Sequence, residues 1–239
     1  MNKRLLTVCA ALGVTLLLAG AAYGEFVKGS ISAAVAFPQM EMPRADAWAK
    51  EINAPEEKAG HDGEMGDIGQ GMGFAVGYGV TLGDCFRFDA NVANFRTEND
   101  ATFTGDQYER NLKFTTHIVP IRLGGSFLAP GFWDGRFRPE MGLGFVAFIV
   151  KYDTVQDYTI AGSTAEGNTW TREVCYGPEA KIGAELELFG PLAVEGYITY
   201  WTAEATLANW HQFGETPERG PTREDLTGWA VWFAPRIYL

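Results

Sequence analysis

The sequence predicts an all-β fold, an eight-stranded antiparallel up-and-down transmembrane β-barrel, and three observations predict it. Apolar, aromatic and glycine residues alternate at period two along most of the chain, which is the signature of strands. The connections between the alternating segments alternate strictly between long and short, beginning and ending with a long one. Finally, Met1-Asn2-Lys3-Arg4, an apolar run from Leu5 to Ala22 and the small residues Ala22 and Gly24 read as a signal peptide over 1–24, which exports the chain.

The alternation places strands at about 26–37, 69–81, 85–97, 110–129, 136–151, 171–188, 192–205 and 224–239. Strands two and three are joined by Leu82-Gly83-Asp84, four and five by residues 130–135, and six and seven by Phe189-Gly190-Pro191, all rich in turn formers. The other connections, at about 38–68, 98–109, 152–170 and 206–223, are long and polar. Within the first of them, Ala45–Ile52 has the only helical spacing that stands out. In a meander, alternate connections lie at opposite ends, so one end is trimmed and the other elaborated, as in outer-membrane barrels with short periplasmic turns and long external loops. Pro120, Pro139, Pro178 and Pro235 fall inside strands, where each forfeits a donor and predicts a bulge or register shift.

Which face is oily decides between a membrane barrel and its rival, a soluble eight-strand binding barrel. In "GFAVGYGV" (73–80), Phe74, Val76, Tyr78 and Val80 share one face, with only Gly73, Ala75, Gly77 and Gly79 on the other. A glycine face exposed to water weakens a strand for no return. Turned inward, it makes room for long side chains, so the bulky face meets lipid. The last strand then points Trp229, Val231, Phe233, Pro235, Ile237 and Leu239 outward. Trp201, Tyr200, Trp229, Tyr152 and Tyr78 are expected in aromatic girdles at the membrane–water boundary.

The same register sends Lys28, Arg87, Asp89, Arg122, Arg138, Glu140, Glu179, Lys181, Glu185, Glu195 and Arg236 into the interior. Acids and bases are nearly equal in this set, and buried charges are tolerated when paired, so a structural ion network in an occluded interior is expected. The formal charge of −11 disfavours nucleic-acid binding. Most of the excess acid lies in the predicted connections, with eight acids against three bases in 38–68 and four acids without a base in 98–109. That predicts an acidic external face for cationic or divalent-ion-mediated partners.

"PIRLGGSF" (120–127), "RPEMGLGF" (138–145) and a final strand of alternating hydrophobics resemble the small outer-membrane barrels: the OmpA transmembrane domain, OmpX, OmpW and opacity-type adhesins. The resemblance implies the outer membrane of a Gram-negative-type bacterium, contact with lipid and lipopolysaccharide, a monomer, and a structural or surface-interaction role. It also implies one alternative, an OmpW-type channel for small solutes or hydrophobic compounds.

No hydrolase, phosphate-loop or zinc-protease motif is present, and no enzyme activity or cofactor is expected. A lipid-modifying barrel would need a histidine with a serine partner; His211 in the last connection has no serine nearby, and His117 falls on the outward register. In "HDGEMGD" (61–67), Asp62, Glu64 and Asp67 could offer oxygens to Ca²⁺, but the spacing is not that of an EF-hand loop, and a solvated loop is the preferred reading. Cys85 and Cys175 fall near opposite ends of the barrel, too far apart to bridge, and two free thiols are expected.

Overall fold

The computed structural model describes residues 27–66, 71–207 and 222–239; the signal-peptide reading over 1–24, Asp67 and His211 lie outside the described residues. Eight antiparallel strands close a barrel: β1 (Val27–Met40), β2 (Met72–Leu82), β3 (Phe86–Gly105), β4 (Tyr108–Leu128), β5 (Phe137–Ile160), β6 (Ser163–Phe189), β7 (Leu192–Trp201) and, past a short ribbon, β10 (Gly228–Tyr238). The ribbon pairs β8 (Glu204–Leu207) with β9 (Thr222–Asp225). The order around the barrel is β1-β10-β7-β6-β5-β4-β3-β2, an up-and-down meander closed between first and last strands. This is the predicted fold.

The outside is oily and the inside charged. Leu143, Phe145 and Tyr176 are 76%, 69% and 78% exposed, while Arg87, Glu185 and Glu195 are fully buried. Phe74 and Val76 of β2 face outward, with Ala75 and Gly73 inside. A Cβ added at Gly79 would lie 2.6 Å from Asp89 Oδ1 and 2.7 Å from Arg236 Nη1, so the glycine face is bare because ions occupy the space against it. Water would leave the apolar wall unsolvated and would not require the ladder to close; lipid requires both features. The chain is a transmembrane barrel of the outer-membrane type.

Four expectations are corrected. Segments 98–109 and 152–170 are not loops but the far halves of the β3–β4 and β5–β6 hairpins, paired without interruption to Gly105↔Tyr108 and Ile160↔Ser163. Inward Ala101, Phe103 and Leu112 keep the alternation going, while the outward positions have turned polar because they leave the lipid. Ala161 and Gly162 close the second hairpin at φ 48° and 81°, a two-residue turn whose twist suits the flanking strands.

Segment 38–68 contains a helix, α1 (Pro43–Lys58), begun by a proline where no donor is needed. Its Ala45, Trp48 and Ala49 are buried, so it packs into the barrel mouth.

The four prolines shift no register. Pro120 and Pro235 each leave a two-pair gap, on the β3 and β1 sides respectively, and the pairing resumes in step. Pro139 and Pro178 sit just past the ends of the β4 and β7 ladders, where their carbonyls accept from Ala129 and Thr202 and the missing N–H costs little. The one irregularity in the barrel ladders falls between Glu187 and Phe189.

Lastly, Trp201 and Tyr152 belong to the interior rather than to a girdle: each is at most 2% exposed, and neighbours in sequence such as Tyr200 and Trp201 must face opposite ways. Tyr200 and Trp229, paired across β7 and β10, do face outward.

Candidate functional site: a filled barrel interior

The short-turn half of the interior is ionic. Arg87, the second residue of β3, donates to Asp89 at 3.0 Å, Glu185 at 2.7 Å, Glu195 at 2.8 Å and also to Glu140. Arg236 of β10 donates to Glu195 at 2.6 Å, Asp89 at 3.1 Å and Ser30 at 2.8 Å. Lys181 of β6 lies 2.9 Å from Glu140 and also donates to Glu195. Arg138 joins Glu185 and, at 3.2 Å, Glu187. Two residues farther from the short turns than Asp89 and Lys181, Arg122 grips Glu179 with two parallel hydrogen bonds of 2.6 and 2.7 Å, the planar geometry that arginine alone provides.

Ten of the eleven interior residues read from the sequence therefore come together as five cations and five carboxylates. Lys28 does not. It lies at the turn-end rim, half-exposed, 3.5 Å from Asp84. Its register is inward, and through Thr81 it shares a row with Arg87, but its side chain turns to Asp84 of the β2–β3 turn instead of to Arg87's carboxylates. Ser30, Tyr197 and Tyr238 were missed: Tyr238 donates to Glu185 at 2.8 Å, and Lys181 lies 4.2 Å from the Tyr197 ring centroid.

Above the ions the interior is aromatic. Trp232 stacks on Tyr197 with centroids 5.7 Å apart, tilts against Phe95 at 5.8 Å and donates to Thr199 at 2.8 Å. The Arg122 guanidinium lies 4.5 Å from the Trp232 ring centroid, joining the two layers. Phe148 meets Trp201, whose indole N–H donates to the Leu226 carbonyl at 2.7 Å. Tyr152 stacks on Phe114, and Phe114 meets Trp48 of α1 at 4.9 Å.

A second polar cluster fastens α1 above the membrane band. Glu56 accepts from Arg110 at 2.7 Å and Tyr108 at 2.8 Å, and His61 Nδ1 lies 2.8 Å from its other oxygen. His61 stacks on Tyr108 at 4.1 Å. Burial pushes the Glu56 carboxyl up, but hydrogen bonds from His61, Arg110 and Tyr108 outweigh it and hold the pKa below the usual carboxylate value. Burial and the bond to Glu56 push Tyr108 up to about 12. Arg110 shares the inward parity of Arg122, which is the sequence signal that could have found it; Glu56 counts only among the eight acids of the 38–68 connection, because the helix predicted there ends at Ile52.

A carboxyl held below its ordinary value stabilises the folded state at neutral pH and stops doing so as pH falls through that value. Glu56→Gln at pH 7 is thus expected to weaken α1 docking by about 1–3 kcal/mol. Acidification below the carboxylate range should have the same effect on the parent. Amide exchange of α1 measures both; unchanged protection in Glu56→Gln would show that the clasp carries no energy.

Asp62 and Glu64 are exposed, and the Asp62 backbone bridges to Thr104. Among the described residues, no three His, Cys, Asp or Glu side chains converge to hold a metal ion. Cys85 and Cys175 are both free.

No protein-family model matches the chain, and no curated protein does. Among solved structures it is similar to the outer membrane protein OprG from Pseudomonas aeruginosa, at 12% identity over 90% of this chain and 94% of that one, with a TM-score of 0.43. It is similar to Neisserial surface protein A at 9% identity over 87% and 96%, with a TM-score of 0.43. Ail, the attachment invasion locus protein of Yersinia pestis, solved with the heparin analogue sucrose octasulfate, matches at 10% identity over 89% and 98%, with a TM-score of 0.38.

Proposed function

We propose that this barrel is a non-conducting outer-membrane scaffold with a structural and surface-interaction role, neither a solute channel nor an enzyme. The observation that carries this reading is the filling of the interior. An ionic layer lies near the turns, an aromatic layer above it, and α1 sits in the mouth with Trp48 2% exposed. A continuous water path would have to break Arg87's four carboxylate contacts and pass between stacked rings. What reaches solvent is the pair of long hairpins, which carry exposed Asp100, Asp106, Glu109 and Glu166. A predominantly acidic surface of this kind attracts cationic or divalent-bridged partners through weak, salt-screened contacts.

Purified protein reconstituted in planar bilayers should show no stepwise conductance, and a variant lacking 43–58 should show none either, because the aromatic layer remains. Reproducible single-channel steps from the parent protein would favour the channel reading instead.

A further inference from the structure

One row of the outer wall is basic. Arg96 of β3 is directly opposite His117 of β4, His117 opposite Lys151 of β5, and Lys151 opposite Arg172 of β6. All four share the outward parity of their strands. At about 4.8 Å per strand they form a cationic line roughly 15 Å long. Its height is uniform in chemistry. On the turn side of the line, every outward residue of β4 to β6 is apolar or glycine, from Phe127 to Val119, Phe137 to Ile149 and Leu188 to Val174; on β3 only Asn94 intervenes. Beyond the line come Glu98, Asp153 and the acidic hairpins. The row therefore marks the upper boundary of the lipid-facing wall. It is also one-sided: at the corresponding boundary β7, β10 and β1 carry Tyr200, Trp229 and Gln39, with no base.

Local acids only partly neutralise the row. Glu98 is shared between Arg96 and Lys113, and Asp153 meets Lys151 at 2.6 Å; Arg172 has no ion pair among the described residues. Just below, His117, Lys151, Arg172 and Trp170 rim a surface groove of about 520 Å³ floored by Val119 and Ile149. Cations along the headgroup edge of an apolar groove match a ligand with a phosphate at one end and hydrocarbon at the other.

We propose that this groove binds a phosphorylated glycolipid of the outer leaflet, a phosphate on Lys151 and Arg172 at the groove and an acyl chain along Val119 and Ile149, with Arg96 at the far end of the row within reach of a second phosphate. Such a lipid would explain a basic line on a chain whose other external charges are mostly acidic, and why the line lies under the two long hairpins, which the lipid would steady against the membrane.

The test compares the parent with the triple variant Arg96→Gln, Lys151→Gln, Arg172→Gln, both checked for folding by heat-modifiable gel migration. Nanodiscs carry either diphosphorylated lipid A or its dephosphorylated form, and retained lipid is counted by native mass spectrometry. The parent should retain the phosphorylated lipid about tenfold better than the triple variant, less than three uncompensated cations would give because Glu98 and Asp153 remain. The dephosphorylated lipid should not distinguish the two proteins, and millimolar inorganic phosphate should not displace the lipid. Equal retention by both proteins, or equal retention of both lipids, would overturn the proposal; displacement by inorganic phosphate would reduce the groove to a free-anion site and overturn it as well. If the triple variant does not reach the folded band, Arg172→Gln alone carries the comparison, since that side chain makes no ion pair among the described residues. Conductance is not read in this experiment, so its outcome is separate from that of the proposed scaffold role.

Discussion

Arg87→Met is expected to lower the unfolding free energy by about 3–5 kcal/mol, the cost of removing one partner from a fully buried ionic cluster. The side chain is inaccessible to solvent and contacts Asp89, Glu140, Glu185 and Glu195. Without it, Lys181, Arg236 and Arg138 would have to neutralise four carboxylates unaided in a space that water does not reach. Arg87→Lys should recover only part of the loss, because a single ammonium group cannot present the fork that reaches four acceptors from one plane. Urea titration of the refolded protein in phospholipid vesicles, followed by tryptophan fluorescence, measures both variants. A loss below about 1 kcal/mol for Arg87→Met would show that the cluster is hydrated and that the interior is wetter than its packing indicates.

Trp232→Ala should cost a similar amount, about 3–5 kcal/mol. The indole is fully buried against Tyr197, Phe95 and Arg122, and its loss would leave a ring-sized void and an unmatched Thr199 hydroxyl. Trp229, three residues earlier on the same strand, faces outward at 44% exposure. Trp229→Ala should destabilise far less, since lipid fills the space the ring vacates. The same urea titration reads both. If the order were reversed, the inward and outward faces of β10 would be exchanged, and with them the membrane reading of the whole barrel.

The parity of each strand was legible in the sequence because a period of two is a local property: Phe74 and Ala75 declare their faces wherever the strand sits. Height along the barrel is not local. It depends on the registers of all the strands together, and the direction a long side chain takes is no more local: Lys28, with the right parity, turns to Asp84 at the rim instead of joining the ionic layer. The hairpin extensions were hidden for a related reason. Once strands leave the lipid, Thr102 and Thr104 replace outward hydrophobics, and a polar strand reads like a loop until its inward Ala101, Phe103 and Leu112 are counted alone. Ala45, Trp48, Ala49 and Ile52 carry the spacing of one helical face, but Pro43 and Pro55 bracket that pattern and mask the full extent of α1. The ion network was readable as a set of residues. Its connectivity, with Arg87 at the centre, was not, because side chains that meet across the lumen come from strands about 50 to 110 residues apart.

The seam between β1 and β10 imposes an order on assembly. Every other barrel ladder joins barrel strands that are successive in the chain, and the hairpins from β2 to β7 can each zip from a short turn. The seam joins residues at the greatest sequence separation in the molecule, with Ser30 and Arg236 206 positions apart, so the loop-closure entropy falls most heavily on this last step. Arg236 arrives with that closing strand. Until it does, Glu195 and Asp89 lack one of their cations, and the open sheet is both unsealed at its edges and electrostatically incomplete. Edge pairing and charge neutralisation thus finish in the same event, so closing the cylinder supplies the counter-ion that stabilises the closed state.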